Sequence, residues 1–365
     1  MNSQVCYFSQ MYQSIPSLVS VQKELGGTFI CGRKSTYRYF KKHNPSLELA
    51  RYRKRFNTFN DGHRRLMSAR YILTGSPYQT LLAPYSARKM MVFHGTYAGV
   101  SPAAAKGLRH FDQLFLIGPR MEKILSKYRE KYSLNYTKTG FIPFDNFPQK
   151  NKENKLHVLG TLGLDPSLKT IVYCPSRRNV GSWELCAEDL IHQASDQYNL
   201  ILRPHPSQSM NLRWHEQIPM RRLKNLSRFK KNIILDFIDT PLPDLLMIAD
   251  LLISDANSPA EEALFYDTPQ LFTGLHRSAF DEAKNSLQNQ DIPEEDIADI
   301  LRIYNCGPSF AEEKFGNWKE AIESALINQQ HYKNERTNCF SFIFGQKDQK
   351  AGKRVADIIR LQMNS

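Results

Sequence analysis

Short apolar runs alternate with helix-patterned segments twice along this chain, and that alternation limits the possible folds more than any other feature. In the first series IPSLVSVQKELGG (15–27) has helical spacing and stops at a glycine pair. TFICG (28–32) reads as a buried strand, and STYRYFKKH (35–43) returns to helix. ARYILTGS (69–76), KMMVFHG (89–95) and FDQLFLIG (111–118) read as strands ending in turn residues, and PRMEKILSKYREKY (119–132) as a helix opened by proline. The polar stretch PQKNKENK (148–155) reads as an interdomain linker. After it, TIVYCPS (170–176), YNLILRPHP (198–206), NIILDF (232–237), LLISDAN (251–257) and TPQLFTG (268–274) read as strands, the second running into a loop. Helical segments at 182–197, 241–250 and 258–267 lie between them.

This order predicts an α/β chain of two doubly wound, Rossmann-like domains facing a central cleft. A length of 365 residues suits two cores better than one. The expected domains are 1–150 and 151–330, with a helical tail, 331–365, packing back on the first.

In such folds the working loops follow the carboxyl ends of strands, so a reactive side chain counts for more when it follows a strand. His94 does, and runs into Gly95 and Thr96. An imidazole there suits proton transfer near neutral pH, and glycine allows a ligand to approach the backbone. In YCPSRRN, Ser176, Arg177 and Arg178 follow a strand, and paired guanidinium groups suit phosphate oxygens. In LRPHPSQ, two prolines bracket His205 beside Arg203, which stiffens a loop able to present a ring donor. In LLISDANSPAEEALFYDTP, a strand ends at Ser254-Asp255, Asn257 and Ser258 form a turn, and a helix opens at Pro259 with Glu261 and Glu262 in its first turn. Ser258 reads as the N-cap, and the helix start as a place for an anion to dock.

Composition narrows the partners. Hydrophobic residues make up 41% and charged residues 23%, as in a soluble globular chain. No run reaches the roughly 18–20 apolar residues of a membrane span. The N-terminus shows no basic start followed by an apolar core, so no signal peptide is expected. The six cysteines have neither a CxxC pair nor metal-ligand spacing, which points to reduced thiols in the cytoplasm. A formal charge of +13, concentrated at 33–69 and 221–231, predicts an anionic partner. RNA-module signatures are absent, so nucleic acid is not expected. With no metal spacing and no GxGxxG, no cofactor is expected, and group transfer from a nucleotide diphosphate fits these stretches best.

Taken together, HGT, YCPSRR, RPHP and SDANS, in that order between about residues 90 and 275, resemble the CDP-glycerol glycerophosphotransferases of teichoic-acid and capsule assembly. That family's motifs read HGT-P-L-K, A-P-T-W-R-D, H-P and T-D-Y-S-S. The resemblance implies a two-domain GT-B fold, peripheral on the cytoplasmic face of the membrane. It also implies metal-free transfer of glycerol phosphate from a CDP-activated polyol to a membrane-associated polyanionic or lipid-linked acceptor. His94 matches the base that deprotonates the acceptor. Arg178 and His205 match contacts to the donor diphosphate, and Asp255, Asn257 and Ser258 fall on the last motif. Gly140 and Asp145 in GFIPFD keep the gap of a G-Y-P-R-N-D element. The chain departs from the family in YAG for PLK after HGT, in Asn257 for a serine and in Arg177 for a tryptophan. The basic segment 33–69 is expected to hold the protein near anionic lipid.

SDANSPAEEA also resembles the D-S-G-x-x-E-E-A of nucleotide-sugar 2-epimerases, in which Glu261 or Glu262 would hold ribose hydroxyls. An epimerase or a nucleotide-sugar transferase is therefore the second reading, and a non-catalytic polyanion-binding protein the third.

Overall fold

The computed structural model describes residues 4–53, 60–177, 180–194, 197–210, 212–273, 279–310 and 317–364. The chain forms two compact units, one of Met1–Asn146 with Ser341–Ser365, the other of Phe147–Phe340.

The first unit is built on seven parallel strands: β1 (Val5–Ser9), β2 (Thr28–Cys31), β3 (Leu49–Arg51), β4 (Tyr71–Thr74), β5 (Arg88–Val92), β6 (Gln113–Leu116) and β7 (Tyr136–Lys138), in the order 3-2-1-4-5-6-7. The second has β8 (Lys169–Cys174), β9 (Tyr198–Leu202), β10 (Ile233–Leu235), β11 (Leu251–Ser254), β12 (Gln270–Thr273) and β13 (Ser309–Phe310), in the order 10-9-8-11-12-13. Both orders are the doubly wound Rossmann arrangement, reversing direction beside the first strand of each unit. The central strands are buried along nearly their whole length, apart from the basic residues that open β5 and β8, because helices cover both faces of a parallel sheet. Their sequences are therefore continuous apolar runs rather than alternating ones.

Four strands, β1, β3, β7 and β13, lie outside the segments expected to be strands. VCYFS at β1 has the composition of a buried strand, whereas β3, β7 and β13 are edges of only two or three residues that carry no apolar run. The expected linker also differs. Asn151 caps a helix over Lys152–Leu162 by accepting the Asn154 amide at 2.8 Å, and Lys155 reaches Asp250 at 2.9 Å. A polar stretch led by a capping asparagine made a helix rather than a spacer.

Helix Ala351–Asn364 packs on helix Ile15–Leu25 in the first unit, with Val355, Ala356 and Ile359 joining Leu18 and Val21 in one core. The Asp145 carboxylate accepts the amides of Ala351 and Gly352 at 3.0 and 2.7 Å, so it caps this helix. Helix Trp318–Ile327 instead joins the core of the second unit through Trp318, Ile322 and Ala325. All six cysteines are buried. No helix among the described residues is long and apolar enough to cross a membrane.

Candidate functional site

In the first unit β5 delivers His94 two residues past its end, next to the loop after β4. The half-buried ring points Nδ1 at the Gly75 carbonyl, 2.5 Å away, with Ser76 Oγ and Tyr97 Oη each at 3.2 Å. A carbonyl can only accept, so Nδ1 carries the proton and Nε2 keeps its lone pair. Among the described residues Nε2 has no hydrogen-bond partner. Burial draws the ring's pKa below the usual histidine value, and the Gly75 bond only partly opposes this. The result is a neutral imidazole with its basic nitrogen available.

Packing enforces the arrangement. A Cβ on Gly75 would meet the Ser14 Cβ at 2.3 Å, so only glycine can bring this carbonyl so close. It is Tyr97, not Gly95, that takes the left-handed turn (φ 45°), folding its ring edge-on to His94. Burial pushes the Tyr97 hydroxyl up to about 12, so it stays protonated. Thr96 is buried, and its carbonyl accepts from Arg120 Nη2 at 3.3 Å. Arg120 is itself only 1% exposed and stands at the start of helix Pro119–Ser126. Ser76, Tyr97 and Arg120 are absent from the sequence-derived set. Of these only Ser76, in a turn directly after a strand, carried a visible signal.

In the second unit the candidate residues gather at the switch point between β8 and β11. Asp255 is the organiser there. Its Oδ2 accepts the amides of Ser176 (2.6 Å) and Ser182 (3.1 Å), and its Oδ1 accepts the hydroxyls of Ser182 (2.5 Å) and Thr273. Burial raises its pKa, and these bonds oppose the rise. The expectation that Asp255 touches substrate therefore needs correction. Both carboxylate oxygens are engaged inside the unit, pinning the described ends of the loop that carries Ser176 and Arg177. Arg177 is exposed, and its carbonyl accepts the Val180 and Gly181 amides at 3.1 and 2.9 Å. Gly181 lies so close that a Cβ would stand 2.4 Å from the Ser176 carbonyl. Arg178 lies outside the described residues.

Asn257, not Ser258, is the N-cap of helix Ser258–Ala263, with Pro259 in its first turn. The Asn257 side chain makes no cap bond; its Nδ2 donates to the Cys174 carbonyl at 3.0 Å, a second tie across the switch point. Ser258 opens the helix and is half-buried.

Arg203 is likewise drawn inward. Its Nη1 pairs with the buried Asp236 carboxylate and donates to the Thr240 carbonyl at 2.6 Å. Asp236 Oδ1 in turn accepts the Thr240 amide at 3.0 Å. Arg203 thus braces the loop after β9 through Nη1. Glu262 is buried nearby. Burial first, and the neighbouring Glu261 second, push its carboxyl up to about 8, against the pull of Arg203. Burial thus favours the neutral form of the Glu262 carboxyl.

His205 follows β9 and stands directly before helix Pro206–Met210, its carbonyl accepting the Gln208 and Ser209 amides at 2.8 and 3.1 Å. The Ser207 amide donates to its Nδ1 at 3.2 Å, with the Ser207 hydroxyl 2.9 Å from the same atom. An amide can only donate, so Nδ1 is unprotonated and the ring proton sits on Nε2. His205 thus holds the tautomer opposite to that of His94.

Each unit thus presents its candidate groups beyond the carboxyl ends of its strands, the His94 imidazole after β5 in the first and a pinned loop at the switch point in the second. The profile described as CDP-Glycerol:Poly(glycerophosphate) glycerophosphotransferase matches residues 94–361, and the chain belongs to that family. It is 29% identical over 142 residues to the teichoic acid glycerol-phosphate primase of Bacillus subtilis (strain 168), a stretch that makes up 38% of this chain and 34% of that relative. The chain therefore matches about a third of the length of this curated relative. Among solved structures, the wall teichoic acid polymerase TagF superimposes with a TM-score of 0.68 at 17% identity, over 99% of this chain and 89% of the other. A substituted TagF soaked with CDPG gives 0.70 at 16% identity and the same coverage. Anabaena HepE in complex with UDP-glucose gives 0.55 at 10% identity, over 98% of this chain and 99% of that one. These likenesses establish the fold.

Proposed function

We propose that the chain transfers glycerol phosphate from CDP-glycerol to a hydroxyl of a teichoic-acid-type or capsule acceptor, at the cytoplasmic face of the membrane. The reading rests above all on the opposite tautomers of His94 and His205, one offering a lone pair and the other a proton.

In this scheme the acceptor oxygen attacks the phosphorus of the glycerol phosphate, and the bond from that phosphorus to the bridging oxygen of CMP breaks. His94 Nε2 takes the acceptor's proton, the imidazolium keeps its Nδ1–H on the Gly75 carbonyl, and CMP leaves with the bridging oxygen. The Nε2–H of His205, the Ser176 loop with Arg177 and Arg178, and the helix start at Ser258 supply donors for the charge on the phosphates. Gly95, directly after His94, leaves room for the acceptor to approach the backbone, and the buried Thr96 holds that turn through Arg120. Glu262, a neutral acid, suits a hydroxyl of the donor. Asp255, Asn257 and Arg203 act by holding those loops.

The test is to incubate the protein separately with CDP-glycerol and UDP-N-acetylglucosamine and measure nucleotide release. CMP from the first and no UDP from the second is expected. Replacing His94 by alanine should slow CMP release by about 10²–10⁴-fold. UDP release alone would transfer the assignment to the nucleotide-sugar enzymes.

A further inference from the structure

The most exposed large apolar side chains among the described residues include three in one short stretch of the second unit. Trp214 is 81% exposed, Ile218 73% and Phe229 85%. Trp214 opens a 3₁₀ turn, Trp214–Glu216, that leads straight into helix Gln217–Arg228, and Phe229 follows that helix with its backbone still helical (φ −95°, ψ 0°).

The helix has a clear inner face. Met220 and Leu223 are buried, and Leu226 packs on the same core. At about 100° per residue, Ile218, Arg221, Arg222 and Asn225 fall on the opposite side. A helix that meets only water carries polar residues on that side. Here an exposed isoleucine stands among Arg221, Arg222 and Asn225, with exposed aromatic rings just before and just after the helix.

The charge in this stretch is nearly all positive. Arg213, Arg221, Arg228 and Lys231 are exposed in the same stretch. Arg222 pairs with Glu188 at 2.5 Å, and Lys224 lies over the Phe237 ring at 4.6 Å. Glu216 is the only acidic residue between 212 and 231, and its carboxylate accepts the Arg213 amide at 2.6 Å. The other basic segment differs in kind. Between 33 and 69 the described residues expose one large apolar side chain, Met67, and Arg65 is held by Glu48 and Asp61.

We propose that Trp214, Ile218 and Phe229, with Arg213, Arg221 and Arg228 around them, form a surface that docks into a bilayer containing anionic lipid. An apolar row bordered by cations is what a helix lying in a membrane interface requires. The row enters the acyl boundary, the aromatic rings settle at headgroup level, and the guanidinium groups meet lipid phosphates. A single-stranded polyanion could stack on the two rings but would gain little from the isoleucine between them.

The fold provides a built-in reporter. The chain has three tryptophans, and Trp183 and Trp318 are 4% and 0% exposed, so a change of environment on docking registers at Trp214. The full chain would be mixed with vesicles of phosphatidylcholine, with or without phosphatidylglycerol, with no donor present. Flotation and tryptophan emission would then be followed. Co-flotation with the anionic vesicles, a blue shift and quenching by brominated lipid are expected. The doubly substituted Trp214→Gln, Phe229→Gln protein should partition at least tenfold more weakly, and both sites are too exposed for the change to disturb packing. Undiminished flotation of that variant would overturn the proposal, as would flotation without a blue shift, or binding to single-stranded RNA as tight as to vesicles. Because no donor is present, these outcomes are independent of the transfer chemistry.

Discussion

Asp255 accepts the backbone amide of Ser176 at 2.6 Å, tying the end of β11 to the end of β8 although 79 residues separate them. These strands flank the switch point of the second sheet, where a doubly wound domain binds its ligand. With two further bonds from Ser182 and one from Thr273, the carboxylate sets the path of the loop that bears Ser176 and Arg177.

Asp255→Asn keeps the size of the side chain but points an NH₂ at donors. Each buried donor left without an acceptor costs about 1–3 kcal/mol. We expect a loss of stability of roughly 2–4 kcal/mol in denaturant unfolding, with weaker CDP-glycerol binding by calorimetry. Unchanged stability together with unchanged affinity would remove Asp255 from its organising role.

In the proposed reaction Tyr97 positions His94. Its hydroxyl, with Ser76 Oγ and the Gly75 carbonyl, surrounds Nδ1 with neutral oxygens, where other sites use a carboxylate. Burial already lowers the His94 pKa, so the acid limb of CMP release should fall below the usual histidine value of about 6.5. Tyr97→Phe removes an oxygen that stabilises the imidazolium. The limb should move further down in pH, and turnover should drop several-fold with little change in Tm. A profile that does not move would leave Tyr97 a purely structural role.

The two histidines should respond differently to amide replacement. A glutamine NH₂ can stand near the imidazole Nε2 position, an asparagine NH₂ near Nδ1. If His205 works as an Nε2–H donor, His205→Gln should retain clearly more CMP release than His205→Asn. At His94 both should fail alike, because no amide is basic enough to accept the proton. Equal loss for the two His205 variants would count against the donor role.

Glu262 makes the fold pH-sensitive from the alkaline side. Its folded pKa is raised to about 8 from the usual 4.5, so the folded state holds a proton that the unfolded chain gives up. This contribution is complete below about 4.5 and is lost as pH rises through 8. Glu262→Gln should flatten that stretch of the stability profile, gaining on the parent as pH rises. Thermal unfolding between pH 5 and about 9 reads the difference directly. Parallel curves would mean that the carboxyl is ionised in the folded state.

The doubly wound architecture was legible in the chain because parallel strands buried on both faces must be continuous apolar runs, and MMVF, IVYC and LLIS are such runs. The strand-to-loop filter also found His94, His205 and the SDANS turn, since these positions follow directly from where each strand ends. The edge strands β3 and β13 were not legible, because two or three residues held by one neighbour need no apolar signature.

What each side chain does at those positions was a different matter. Asp255, Arg203 and Asn257 look in sequence like groups offered to a ligand, yet folding also gives them partners inside the unit, in Ser182, Asp236 and the Cys174 carbonyl. The tautomers of His94 and His205 likewise depend on Gly75 and Ser207, backbone groups whose positions no side-chain pattern records. Local spacing fixes which residues reach the ends of the strands, because that is set within one element. Which of them remain available for chemistry is set largely by partners tens of residues away, which only the tertiary structure brings within hydrogen-bonding reach, Ser207 beside His205 being the local case.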